Sequence, residues 1–125
     1  MELLCPRKRI LVLDKNSRMS SVVDEIMFYG DFEVCTIYDP LDVANRAKTL
    51  KPDLILLDYL LLDDDCVLIC QDLKDDEGLK DVPVIVITAY RSKKVTSNAY
   101  KCEALFVKPL DMNVLASRIN YLMAS

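Results

Sequence analysis

The chain has 125 residues, 52% of them hydrophobic, enough apolar material for one domain with a continuous core and too little length for a second. A formal net charge of −4, with no basic run longer than Arg7-Lys8-Arg9, argues against nucleic-acid binding by phosphate neutralisation and favours a protein or a small anionic donor as partner. Cys5, Cys35, Cys66, Cys70 and Cys102 form an odd set without a Cys-x-x-Cys pair, no signal peptide precedes them, and the chain lacks the histidines usual in zinc sites. They read as reduced, mostly buried thiols of a cytoplasmic protein.

Met1 to Arg9 reads as an N-terminal lead-in. Ile10 to Leu13 is a compact apolar strand ending on Asp14. Asn16 or Ser17 caps a helix whose Met19, Val22, Val23, Ile26 and Met27 recur at helical spacing, and Gly30 stops it. Glu33 to Ile37 alternates polar and apolar residues, as a strand near a sheet edge does. Asp39 and Pro40 open a second helix with Val43, Ala47 and Leu50 on one face, ended by Lys51 and Pro52.

Leu54 to Leu57 then run directly into Asp58, which meets a further apolar run, Leu60 to Leu62. Too short to span a bilayer, this stretch has the pattern of a strand buried on both faces, central in a parallel sheet. After the acidic Asp63, Asp64 and Asp65, which suit a helix start favoured by the dipole, a third helix carries Cys66, Ile69, Cys70 and Leu73 on one side. It dissolves into the polar segment Lys74 to Lys80. Val82 to Thr88 is a strand, Arg91 to Cys102 a weakly patterned fourth helix, and Leu105 to Val107 a short last strand. Asp111 caps a fifth helix with Met112, Leu115, Ile119 and Leu122 inward. Strands alternating with helices predict an α/β fold: a flavodoxin-like, doubly wound sandwich with a five-stranded parallel sheet of order 2-1-3-4-5.

Parallel strands point one way, so Asp14, Asp58, Thr88 and Lys108 converge on one edge of such a sheet, where open α/β sheets place their chemistry. Taken singly, each is an ordinary cap or turn residue. Taken together, in this order and at these spacings, Ile10–Asp14, Leu54–Asp58, Val84–Ala89 and Phe106–Pro109 resemble the receiver domain of two-component response regulators over nearly the whole chain. The resemblance implies that Asp58 accepts a phosphoryl group from a histidine kinase or phosphotransfer protein, forming an acyl phosphate. It further implies that Thr88, Ala89 and Lys108 bind the phosphoryl group, and that a cis bond between Lys108 and Pro109 aims the lysine into the pocket. A magnesium ion is implied in the acidic pocket of Asp14, Asp58 and Leu60.

Several positions depart from the family pattern. Lys15 stands where the family has a second acidic residue that ligates the metal directly. An ammonium in place of a carboxylate works against a cation by roughly 4 kcal/mol for unit charges ~4 Å apart near a surface, so weak or absent magnesium binding is expected. Lys15 would then either bend into the pocket as a built-in cation near Asp58 or extend into solvent. Leu60 and Tyr90 occupy positions that influence loss of the phosphoryl group to water; both are bulky, and slow self-hydrolysis is expected. The usual aromatic switch position is Leu105, with Phe106 on the opposite side of the strand.

The expected function is a stand-alone receiver, a phosphorylation-controlled protein-interaction module over residues 1–125 without an output domain, and not an enzyme beyond its own phosphorylation and dephosphorylation. Its expected contact face, including for a homodimer, is the fourth helix, fifth strand and fifth helix, with Tyr100 and Lys101 exposed. The alternative is a phosphorylation-independent adaptor, favoured by Lys15 and Leu105. A haloacid-dehalogenase type phosphatase is disfavoured because Leu60 stands where that family has its acid/base aspartate.

Overall fold

The computed structural model describes residues 8–14, 32–59, 64–88, 102–107 and 111–123. Five strands, β1 (Lys8–Asp14), β2 (Phe32–Ile37), β3 (Leu54–Tyr59), β4 (Val84–Thr88) and β5 (Ala104–Val107), form one sheet of order β2-β1-β3-β4-β5. All four neighbouring pairs are parallel. Parallel neighbours require crossover connections. The described crossover helices are α1 (Val43–Leu50), entered through a 3-10 turn at Pro40–Asp42, and α2 (Asp64–Asp75); α3 (Met112–Met123) follows β5. The predicted helices around Met19–Met27 and Arg91–Tyr100 lie outside the described residues. No described helix is long and apolar enough to cross a membrane.

Strand alternation divides the core between the two faces of the sheet. Ile10, Val12, Leu54, Leu56, Ile85 and Ile87 pack with Leu115, Ile119 and Met123 of α3. Leu11, Leu13, Ile55, Leu57, Val84 and Val86 pack with Val43 and Ala47 of α1 and with Cys66, Cys70 and Leu73 of α2. Leu54, Ile55, Leu56 and Leu57 are all fully buried, which explains why β3 reads as an unbroken apolar run. Each such aliphatic side chain contributes roughly 1.5–3 kcal/mol by leaving water. β2 forms one edge of the sheet, and its Glu33 is exposed.

Local chemistry sets the helix ends. The Asp39 carboxylate accepts from the Leu41 N–H at 3.0 Å with Pro40 at the first position of the turn. Lys51 closes α1 in the left-handed region at φ 53°, its N–H donating to the Ala47 carbonyl at 2.9 Å. Asp111 caps α3, accepting from Asn113 and Val114 N–H at 3.0 and 3.3 Å.

Several boundaries differ from the sequence expectation; β2 and β5 each begin one residue earlier and β3 ends one later. β1 begins at Lys8, so Lys8 and Arg9 belong to the sheet and not to the lead-in, because Arg9 bonds to the residue preceding β3. Its N–H donates to Asp53 Oδ2 at 2.8 Å, and Asp53 N–H returns to the Arg9 carbonyl at 2.8 Å. α2 runs from Asp64 to Asp75, taking Asp64 and Asp65 into its first turn and Lys74 into its last. β4 begins at Val84, after Pro83, which lacks the N–H needed for the ladder. Cys102, expected as the end of a helix, lies outside regular structure in the approach to β5 and is buried.

The turn after α2 buries a residue absent from the predicted core. Asp76 accepts the Gly78 N–H on its carboxylate at 2.8 Å and those of Leu79 and Lys80 on its carbonyl at 3.1 and 2.8 Å. The turn so formed folds Leu79 down to 3% exposure against the α1–α2 side of the core.

Candidate functional site

β1, β3 and β4 end at the same edge of the sheet, and each ends on or next to a polar residue that is out of water. Asp14 is 4%, Asp58 2% and Thr88 0% exposed; they are the buried polar or charged residues among those described. Asp14 and Asp58 are direct register partners, while Thr88 pairs with Tyr59, one step beyond Asp58. Alternation puts both aspartates on the sheet face shared with Val12 and Leu56, and Thr88 on the face of Val86. The Oδ1 atom of Asp58 is wholly shielded from solvent.

Burying one carboxylate is costly, and seating a second on the adjacent strand, roughly 4.7–4.9 Å away along the hydrogen-bonding direction, adds like-charge repulsion. Groups held at such a cost mark functional sites more often than structural ones. Chemically, Asp58 offers a nucleophilic oxygen, Asp14 a second negative charge that favours a nearby cation, and Thr88 a hydroxyl able to donate to an incoming anion.

Of the other predicted site residues, Lys15, Leu60, Ala89, Tyr90, Lys108 and Pro109 lie outside the described residues, as do Tyr100 and Lys101. The structure places Asp14 beside Asp58 and puts Thr88 at the same edge of the sheet, on its other face. Leu105 is half-buried and packs against the core on the α1–α2 side, whereas Phe106 packs with the α3 side.

The helical spacing of Cys66 and Cys70 puts both on the buried side of α2, but nothing local joins them to Cys102, which the fold adds to the same cluster. Burial pushes the Cys102 thiol up to about 11, with the neighbouring Cys70 adding to the effect. Cys70 is shifted the other way: a hydrogen bond with Cys66 lowers it, burial opposes that, and Lys74 assists. None of Cys35, Cys66, Cys70 and Cys102 is in a disulfide. Among the described residues no group of three or more histidine, cysteine or acidic side chains is arranged to hold a metal ion.

The sequence matches the response regulator receiver domain family over residues 10–120. It is 29% identical over 117 residues to the DNA-binding dual master transcriptional regulator RpaA of Synechocystis sp., covering 92% of this chain and 48% of that protein. It is 32% identical over 117 residues to the response regulator PleD of Caulobacter vibrioides, covering 91% of this chain and 26% of PleD. The chain thus spans about half or less of the length of these two relatives. Among solved structures, the receiver domain of the sensor histidine kinase PA1611 from Pseudomonas aeruginosa PAO1, with a magnesium ion in its active-site cleft, has the same fold. Its TM-score is 0.80 at 20% identity, over 96% of this chain and 100% of that one. A family match running from the first buried residue of β1 into the last turn of α3 places the protein: it belongs to the response regulator receiver domain family of two-component signalling.

Proposed function

We propose that Asp58 accepts a phosphoryl group from a histidine kinase or phosphotransfer protein and that its modification controls binding of another protein. The observation that carries this reading is the register pairing of two buried carboxylates, Asp14 and Asp58, at the C-terminal edge of a parallel sheet. In the transfer, an Asp58 carboxylate oxygen attacks phosphorus, the phosphorus–nitrogen bond of the donor phosphohistidine breaks, and the imidazole leaves with the electron pair, leaving an acyl phosphate. Thr88, one step beyond on β4, would donate its hydroxyl to a phosphoryl oxygen, and Lys108 would supply positive charge to the same group. Leu60 and Tyr90 offer no acid or amide to position water, so the acyl phosphate would hydrolyse slowly.

Asp14 and Asp58 supply two adjacent hard-oxygen ligands, a donor set that a magnesium ion accepts when water completes its shell. Bound there, the ion would neutralise charge on the transferring phosphoryl oxygens. Lys15, next in the chain after Asp14, weakens that site and can itself offer a positive charge. Cysteines outside disulfides fit a reducing, cytoplasmic setting. The fourth helix expected from the sequence, the last strand and the last helix are the proposed contact face, including for a homodimer.

A phosphorylation-independent adaptor is the second reading, favoured by Lys15 and by an aliphatic, half-buried Leu105 packed against the core where an aromatic switch is usual. Incubation with acetyl phosphate or phosphoramidate, with and without magnesium, separates the two. The phosphoacceptor reading expects a mass gain of one phosphoryl group that disappears in Asp58→Ala; no gain under any condition, cognate kinase included, leaves the adaptor. Gain without magnesium supports Lys15 as the internal cation, and strict magnesium dependence counts against it.

A further inference from the structure

The face of the sheet covered by α1 and α2 carries a small groove that the phosphoacceptor reading does not use. The groove encloses about 190 Å³ and is lined by Pro40, Leu41 and Ala44 on one side and Leu68, Ile69 and Asp72 on the other. Its two leucines are turned outward: Leu41 is 85% and Leu68 56% exposed. Single exposed leucines are unremarkable, but here two from different crossovers flank one concavity whose base continues, through Ile69, into the core. The volume falls below the roughly 300 Å³ at which small-molecule sites begin and suits one or two apolar side chains of a peptide.

Charge indicates whose side chains these are. Asp39 and Asp42 flank Leu41 in the chain, Asp72 lines the groove and Asp75 continues the Leu68–Asp72 stripe of α2; all four are exposed. Lys48, one turn beyond Ala44 on α1, is held by Asp76 at 3.4 Å and contributes little free positive charge. A second copy of the chain using this same face would bring two acidic rims together, which costs several kcal/mol when like charges meet across an interface. A basic helix with an apolar stripe meets both the leucines and the aspartates.

We propose that the α1–α2 groove docks a basic amphipathic helix of a partner protein, its leucine-type side chains seated between Leu41 and Leu68 and its lysines or arginines against Asp39, Asp42 and Asp72. The test uses a lysine-rich helical peptide with leucines at i, i+3, i+4 and i+7, and an isomer of identical composition with the leucines scattered, each titrated into isotopically labelled protein. The expected amide shifts centre on Leu41, Ala44, Leu68, Ile69 and Asp72. The striped peptide binds about tenfold more tightly than its isomer, and Leu41→Asp with Leu68→Asp abolishes that advantage. Both substitutions are at exposed positions and add negative charge, so a loss of affinity for a cationic peptide isolates the apolar contact. Equal binding of the two peptides, shifts centred elsewhere, unchanged affinity in the double variant, or no binding by about 1 mM overturns the proposal. Concentration-dependent dimerisation abolished by Leu41→Asp also overturns it, in favour of self-association. Asp58 enters none of these measurements, so the outcome is independent of the phosphoacceptor reading.

Discussion

Where the strands begin, charged side chains join the elements of the fold; where they end, charged side chains are packed together at a cost. At the starting edge, Arg9 reaches the Leu50 carbonyl at 2.9 Å and Glu33 at 3.7 Å, while its backbone exchanges hydrogen bonds with Asp53. Lys74 donates to both carboxylate oxygens of Glu103 at 2.7 and 3.0 Å and to the Val82 carbonyl at 3.0 Å, and Glu103 accepts the Val84 N–H at 2.6 Å. That arrangement ties α2 to the starts of β4 and β5. At the finishing edge, Asp14 and Asp58 share a register step and a face, almost without exposure. Opposite charges at one edge tie the elements of the fold together, and like charges at the other concentrate reactivity in one place.

The strongest way to break this contrast is Asp58→Asn, which keeps shape and removes charge. Phosphoryl incorporation from acetyl phosphate is expected to fall to nothing by mass spectrometry, while the urea midpoint rises by the equivalent of about 1 kcal/mol as repulsion with Asp14 is relieved. A midpoint that falls would place the stabilising role at the wrong edge. Glu103→Ala is the reciprocal change. It leaves the Lys74 ammonium, whose side chain is 16% exposed, and the Val84 N–H without their carboxylate, and should lower stability by about 2 kcal/mol with phosphorylation unaltered. Adding Lys74→Met should cost less than the sum of the single changes, since the pair acts as a unit.

A further effect concerns pH. Cys102 titrates at about 11 against an ordinary thiol value of 9.0, so above pH 9 the unfolded chain has released a proton that the folded chain still holds. Its contribution to stability is therefore complete below pH 9 and declines as pH rises toward 11, by on the order of 1 kcal/mol at pH 10. Cys70, shifted downward, contributes stability that is present above pH 9.0 and lost as pH falls through its folded value, so it does not set this slope. Urea titrations from pH 8.5 to 10.5 should show the decline in the wild type and a flatter profile in Cys102→Ala; parallel profiles would remove burial of Cys102 as its cause.

Much of the fold was legible because its signals are local. Leu54 to Leu57 is apolar without interruption, and only a strand covered on both faces uses such a run; Glu33 to Ile37 alternates, and β2 is indeed an edge strand. Cys66, Cys70 and Leu73 kept helical spacing and are all buried. Leu79 escaped because its burial depends on the hydrogen-bonded turn around Asp76 rather than on any period. Lys74 reads as part of a polar tail because its partner Glu103 lies 29 residues away. At the site, the carboxylates could be assigned to strand ends, but the different faces of Thr88 and Asp58 depend on the pairing of β3 with β4. The groove was invisible for a similar reason: Leu41 and Leu68 belong to separate crossovers, and each alone is an ordinary surface leucine.

Composition and periodicity by themselves determined that the chain forms a parallel α/β sheet and that Asp14, Asp58 and Thr88 come at the downstream ends of its strands. Such patterns are written in consecutive residues and follow from the alternation of side chains along each element. Only the tertiary structure decided that Asp14 stands opposite Asp58, that Glu103 receives Lys74, that Cys102 joins the thiols of α2, and that Leu41 and Leu68 flank one groove. Those relations depend on register and on the docking of segments distant in sequence, which packing of the whole core sets and no single stretch of residues encodes.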